Sequence, residues 1–261
     1  MHVRSLGFRT DLMIRALEGS HIEDRDEYLV IRTPDNPTYW WGNFLLLAGP
    51  PAVGEVRKWL ATFATEFPAA KHIALGIDVT ELGTFDVDEL VAEGLRGERS
   101  AVLTARDVHD PPRPNTAVTC RPLTGDEDWA HALALRTAVS EGEPGWSREF
   151  VERRIASERR LTEAGHGWWF GAFLDGELLG QLGLITDGSG IARYQNVETH
   201  RRARHKGVAG TLVWRAAQHV LAEDAADTLV MVADPDNVAI SVYRSVGFAD
   251  AETQLAFERQ P

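Results

Sequence analysis

The chain has 261 residues, 44% of them hydrophobic and 25% charged, with 23 Gly, 12 Pro, one Cys and a formal net charge of −12 at pH 7. That apolar content is ample for a core in one large domain or two ordinary ones, and it excludes disorder, a collagen-like repeat and a disulfide scaffold. The acidic balance speaks against nucleic-acid binding, which needs a basic face to displace counterions from phosphates. It favours an amine-bearing partner, though weakly, because surplus acid is also a common route to solubility.

The longest apolar runs, such as residues 43–48, fall well short of the roughly 18 residues that a membrane span needs. Asp11, Glu18 and Glu23 break up the N-terminal stretch, where no apolar segment of signal-peptide length occurs. Cys120 has no partner in the chain, which fits a reducing compartment and, on its strand, a small core residue. The expectation is a soluble, cytoplasmic protein with neither membrane nor nucleic-acid contact.

In chain order, Tyr28–Thr33 and Asn43–Ala48 read as strands, Val53–Phe67 as a helix, His72–Asp78 as a buried strand, Val87–Arg96 as a helix and Ser100–Ala105 as a strand. Next comes Asp107-Val-His-Asp-Pro-Pro-Arg-Pro-Asn115, whose prolines oppose both helix and ladder pairing. The expected domain boundary lies there, with residues 1–115 before it and 116–261 after it. Ala117–Leu123 is then a strand, and Asp126–Glu141 and Ser147–Ala164 are helices. Gly167–Leu174 and Glu177–Ile185 form a hairpin turning at Asp175-Gly176, a strong hairpin signal. Ile191–Thr199 is a strand and Lys206–Glu223 an amphipathic helix. Thr228–Ala233 is a buried-type strand, Val238–Ser245 a short helix and Ala251–Glu258 a last strand. Both halves therefore carry the run β-β-α-β-α-β, with Gly94-Leu95 standing where Gly247-Phe248 stands in the second copy, and they read as diverged repeats of a mixed α/β fold.

The most informative segment is Val197-Glu-Thr-His-Arg-Arg-Ala-Arg-His-Lys-Gly-Val-Ala-Gly-Thr-Leu212. A strand ends near Thr199, a basic turn follows, and a helix starts at about Gly207. Arg204, Gly207 and Ala209 fit R-x-x-G-x-G/A, and small residues at Gly207, Ala209 and Gly210 allow a ligand close to the backbone. The free N–H groups of the first helical turn and the positive end of the helix dipole suit a pyrophosphate, with Arg201, Arg202, Arg204 and Lys206 adding charge. A solvated basic helix start is the bland alternative. Downstream, Asp234-Pro-Asp-Asn-Val-Ala-Ile-Ser-Val-Tyr-Arg-Ser-Val-Gly-Phe248 contains N-x-x-x-x-x-Y-x-x-x-G-F, with Asn237, Tyr243, Gly247 and Phe248 in place.

Together, in this order, the two segments resemble the GNAT superfamily of acyl-CoA-dependent N-acyltransferases, a resemblance covering residues 117–261. It implies a mixed, mostly antiparallel sheet flanked by helices, acetyl-CoA as acyl donor, and direct attack by an amine on the thioester with no covalent enzyme intermediate. The resemblance further implies that the backbone of Val197, Glu198 and Thr199 holds the pantetheine arm. It assigns the pyrophosphate to the amides of His205, Lys206, Gly207, Val208, Ala209 and Gly210, with Thr211, and to Arg204. Asn237 corresponds to a residue contacting the cofactor arm, and Tyr243 to the general acid that protonates the leaving thiolate.

The attacking amine must lose a proton. Glu198 is the best placed carboxylate for that task, with His200, Glu141 and Glu143 as further candidates, each of which also reads as an ordinary surface charge. Trp40-Trp41 and Trp168-Trp169 read chiefly as packing aromatics, with a cation–π wall for an amine as the functional alternative. The nine histidines are scattered without metal-ligand spacing, so no metal is expected.

The first half lacks this chemistry: Ala48-Gly-Pro-Pro-Ala-Val-Gly54 precedes its helix, and Leu90 stands where the second half has Tyr243. The expectation is a tandem GNAT-like protein, active in its second half, that acetylates a small amine, an amino sugar or a protein amino group. Two rivals are a non-catalytic acyl-CoA sensor or structural protein and a transferase of longer acyl groups. Oligomeric state is not legible.

Overall fold

The computed structural model describes residues 1–81, 87–142 and 147–260. The elements are α1 (Leu6–Leu17), β1 (His21–Asp24), β2 (Tyr28–Arg32), β3 (Phe44–Leu47), α2 (Val56–Glu66), β4 (Ile73–Ile77), α3 (Asp88–Ala92), β5 (Arg96–Ala105), β6 (Thr119–Pro122), α4 (Gly125–Ser140), α5 (Arg148–Glu163), β7 (Gly167–Leu174), β8 (Glu177–Thr186), β9 (Ile191–Thr199), α6 (Val208–Ala222), β10 (Thr228–Ala233), α7 (Ala239–Arg244) and β11 (Ala249–Arg259). The chain forms two compact units: Met1–Val102 with Val232–Pro235 and Asp250–Pro261, and Leu103–Met231 with Asp236–Ala249.

The units do not follow the 115/116 division that the prolines suggest. The proline-rich segment lies inside the second unit, while the last strand belongs to the first. There β11 pairs antiparallel with β4, from Leu255 opposite Ile77 to Arg259 opposite Ile73.

In the first unit the strands lie in the order β1-β2-β3-β4-β11-β5. The run Phe44-Leu-Leu-Leu47 is buried throughout because both faces of this sheet are covered. Leu45 and Leu47 pack with Val56, Trp59 and Phe63 of α2 and with Leu255 and Phe257 of β11. Phe44 and Leu46, pointing the other way, pack with Phe8 and Leu12 of α1. Helix α1 and strand β1 have no counterpart among the expected elements. Ser5 caps α1 by accepting from Phe8 N, and Asp78 at the end of β4 accepts from the amides of Arg4 and Ser5, both at 2.9 Å.

In the second unit the order is β10-β9-β8-β7-β6, antiparallel except for the parallel β9–β10 pair. The hairpin between β7 and β8 turns at Asp175 (φ 51°) and Gly176 (φ 84°), the left-handed pair that a type I′ turn needs. Helices α4 and α5 cover one face, where Trp129, Ala132, Leu135 and Ile155 meet Trp169, Phe173 and Leu178. Helix α6 covers the other. A Cβ at Gly180 would lie 3.1 Å from Val208, whereas its neighbour Gln181 reaches α4 by donating to the carbonyl of Ala132. None of the described helices is long and apolar enough to cross a membrane.

Phe257 is 2% exposed and sits in the core under α2. Phe257→Ala should therefore cost about 3–5 kcal/mol of stability. Urea denaturation checks this, and a loss below 1 kcal/mol would mean that β11 does not depend on that packing.

Candidate active site

Strand β9 pairs with β10 only through Ile191–Arg193 opposite Thr228–Val230, then leaves it. On its other side it stays hydrogen-bonded to β8, but the register shifts: Gly183 faces Gln195 and Gln181 faces Glu198. The extra residue makes a β-bulge, and Asn196 adopts φ 47°, a left-handed conformation that asparagine tolerates better than most side chains. The backbone of Val197, Glu198 and Thr199 therefore has β8 on one edge and no partner strand on the other.

Beyond the strand, Arg201–Ala203 forms one turn of 3-10 helix, and α6 begins at Val208. His205 (φ 61°) and Gly207 (φ 76°) are both left-handed. Thr211 is the first amide to find a carbonyl, Gly207 O at 3.1 Å. The amides of His205–Gly210 have no acceptor among the described residues. Those donors, together with the helix dipole, form a cradle that fits an anion such as a pyrophosphate.

The cations expected around it are exposed and take different partners: Arg202 pairs with Glu177, Arg201 donates to the carbonyl of Glu141 and Arg204 to that of Thr199. The small residues of the loop have a second use. A Cβ on Gly207 would lie 2.2 Å from the carbonyl oxygen of Arg113, and one on Gly210 would lie 3.2 Å from Pro111.

A buried charged cluster underlies β9. The Arg136 guanidinium, on α4, lies 2.6 Å from Glu198 on β9 and 3.1 Å from Glu158 on α5. Gln181 donates to Glu198 at 2.7 Å, and its own carbonyl accepts from Trp169 Nε1. Asn196, at the bulge, donates to Glu158 at 2.7 Å, so the same cluster anchors the bend. Burial raises the pKa of Glu198, and the charge and hydrogen bonds of Arg136 oppose that rise.

Tyr243, on α7, is 6% exposed, and burial pushes its phenol up to about 12. Asn237 is exposed and its side-chain oxygen accepts from Ala239 N at 2.9 Å, so it caps the turn into α7. His200 caps the 3-10 turn through Nδ1, accepting from Arg202 N, which takes up one face of that candidate base. Glu141 is exposed at the end of α4, and Glu143 lies outside the described residues.

Arg136, Glu158 and Gln181 were not singled out in the sequence. The signal lay in charge: α5 is rich in Arg and Glu, yet Glu158 stands on the apolar stripe with Val151, Ile155 and Leu161. Trp169 is fully buried, and Trp168 stacks edge-on with His219. Trp40 and Trp41 lie in a 3-10 turn rather than a strand. Cys120 is half-buried, and burial pushes its thiol up to about 11. No cluster of three or more His, Cys, Asp or Glu arranged to hold a metal occurs among the described residues.

In the first unit the corresponding helix start is filled differently. Before α2 the amide of Gly54 donates to Glu89 at 2.9 Å, and Glu55 precedes the first turn. A carboxylate thus sits where the second unit has open amides. At their other landmark the units agree: Gly94 N bonds to Val91 O and Leu95 N to Leu90 O, as Gly247 N bonds to Arg244 O and Phe248 N to Tyr243 O.

Residues 132–248 match the model of the family described as Acetyltransferase (GNAT) family. Over that segment, a little under half of the chain, the sequence is similar to GNAT acetyltransferases. Among solved structures, the chain is similar to a functionally unknown conserved protein from Staphylococcus epidermidis ATCC 12228, at 11% identity over 92% of this chain and 94% of that one, with a TM-score of 0.76. It is similar to a GCN5-related N-acetyltransferase from Kribbella flavida, at 16% identity over 98% and 96%, TM-score 0.67. It is also similar to a tandem GNAT protein from the clavulanic acid biosynthesis pathway, at 14% identity over 94% and 87%, TM-score 0.60. At these identities the likeness is one of fold. No curated protein matches the sequence.

Arg136→Met would leave Glu158 and Glu198 buried without their shared cation, a loss of about 3–5 kcal/mol near neutral pH. Glu198, whose pKa burial already raises, would then titrate further above its unfolded value, while Glu158 keeps Arg154 at 3.6 Å. The deficit should accordingly be small at low pH, where Glu198 is protonated in either state, and grow as pH rises through the unfolded carboxylate range towards its raised folded value. Urea melts at pH 5 and pH 8 measure this; equal deficits at the two would show that the cluster is not ionised.

Proposed function

We propose that the chain is an acetyl-CoA-dependent N-acetyltransferase of tandem GNAT architecture, with the chemistry in its second half. The observation that carries this reading is the row of open amides from His205 to Gly210 at the end of a bulged strand that parts from its neighbour. Those amides, with Arg204 and Lys206, would hold the pyrophosphate, and the free edge of Val197–Thr199 the pantetheine arm; Thr211, expected among the ligands, instead turns both its amide and its hydroxyl to the Gly207 carbonyl. Asn237, already occupied as a cap through its oxygen, retains its NH₂ group for the cofactor arm.

The bound thioester supplies an acyl carbon open to nucleophilic attack. The acceptor nitrogen forms a bond to that carbon, the carbon–sulfur bond breaks, and one amine proton must leave. Glu198 takes that proton: its burial raises its basicity while Arg136 and Gln181 fix its orientation. Tyr243 donates to the departing sulfur. With the phenol at about 12 against a thiol near ~8.5, outright transfer to a free thiolate is uphill. Tyr243 therefore acts as a hydrogen-bond donor to the charge developing on sulfur. The acceptor is a small amine, an amino sugar or a protein amino group. The first half, whose matching helix start holds Glu89, serves as a GNAT-like repeat without the cofactor.

Tyr243→Phe tests the assignment. Acetyl-CoA affinity should stay within about twofold, measured by calorimetry with one site per chain, while turnover with an accepted amine falls roughly 100-fold. A wild-type protein that binds acetyl-CoA but turns over no amine points to a sensor. Two sites per chain would restore cofactor binding to the first half. Faster turnover with propionyl- or succinyl-CoA would make this a transferase of longer acyl groups.

A further inference from the structure

We infer that the proline-rich segment around Asn115 positions the phosphate loop, with Asn115 as its clamp; this rests on the acyl-CoA reading of that loop. Pro111 is buried between exposed neighbours and packs against the face of Gly210. The Arg113 carbonyl lies where a side chain on Gly207 would project. The glycines thus admit another part of the chain itself, the Arg113 carbonyl and the Pro111 ring. Asn115 then ties the loop at both ends. Its Nδ2 donates to the carbonyl of Lys206 at 2.9 Å, and its backbone amide donates to Thr211 Oγ1 at 2.8 Å. Thr211 Oγ1 in turn donates to the carbonyl of Gly207 at 2.9 Å. The remaining Asn115 atom is also engaged, since Oδ1 accepts from Ala117 N at 3.0 Å, which fixes the rotamer.

Lys206 lies between the left-handed His205 and Gly207. Holding the carbonyls on either side of Gly207 fixes the peptide planes of the loop, and with them the direction of the amides that would meet the phosphates. Asn115 holds the first of these carbonyls directly and the second through the Thr211 hydroxyl, so it is a positioning residue rather than a ligand.

The test compares wild type with Asn115→Ala, and with Thr211→Val as a second variant that removes the hydroxyl relay while keeping side-chain shape. Calorimetric titrations use acetyl-CoA, inorganic pyrophosphate and acetyl-pantetheine, which carries no phosphate. Affinity for acetyl-CoA and for pyrophosphate should fall by the same factor, about tenfold, as loss of one or two positioning hydrogen bonds implies. Affinity for acetyl-pantetheine should not change. Unchanged acetyl-CoA affinity in both variants overturns the inference, as does equal loss for all three ligands, which would mean general loosening. Tighter binding in Asn115→Ala would make the segment a plug and also overturns it. A wild-type chain that binds neither acetyl-CoA nor pyrophosphate removes the acyl-CoA reading itself, a result distinct from one in which only the variants behave unexpectedly.

Discussion

The bend in β9 depends on a buried ion cluster. Asn196 occupies the extra position of the bulge and donates to Glu158, which shares the guanidinium of Arg136 with Glu198 two residues past the bend. Charges taken from water are costly unless paired, and a buried ion pair contributes little net stability over apolar residues of the same size. Its effect here is geometric. Arg136 on α4, Glu158 on α5 and Glu198 on β9 find their partners only when the two helices lie on the sheet in one register. Strand β9 pairs with β10 no further than Arg193, so Asn196 and Glu198 tie down the part of the strand that has left that neighbour.

Compared element by element, the two units show which parts of a shared fold are structural and which are chemical. Both have a short helix ending in a left-handed glycine with the same pair of backbone bonds, and both pack a helix on the sheet after a loop. They differ in what meets the helix start. In the first unit it is Glu89 and a loop with two prolines, which remove donors. In the second it is a row of free amides with cations nearby. A phosphate at the first would face a carboxylate, and desolvating that pair of like charges is prohibitive.

Much of this was legible in the sequence. Strands with clean alternation or continuous apolar runs, the Asp-Gly turn and the stripe on α6 fell within a few residues of their observed bounds, because each buries its own apolar set. Helix α1 was missed since its stripe is short and carries Gly7 and Arg15 on buried positions; only the Ser5 cap and Gly19 after its end mark it. Strand β1 is a polar edge, His-Ile-Glu-Asp, with no buried face to write a pattern. The glycine motif was read as room for a ligand, and the structure gives part of that room to Pro111 and Arg113. Spacing along the chain cannot reveal which remote backbone will come to rest on a glycine. Nor can it show that Arg136, one of many arginines, is among the few that are buried.

Burial acts in the same direction on the proposed donor and the proposed base. Removing solvent raises the pKa of both Tyr243 and Glu198, and for the phenol nothing opposes it. For the carboxylate, a guanidinium at 2.6 Å and the Gln181 amide at 2.7 Å favour the charged form. The effect separates the two groups: the phenol keeps its proton across neutral pH as a donor, while the carboxylate is held as an acceptor with more basicity than a solvated one. Acid–base catalysis needs such a separation between two titratable groups. A phenol and a carboxylate start several pH units apart, and Arg136 preserves that gap by opposing the rise at Glu198 while burial acts unopposed on Tyr243. The arginine that joins Glu158 and Glu198 beside the bend of β9 is therefore also the one that limits how far burial raises the proposed base.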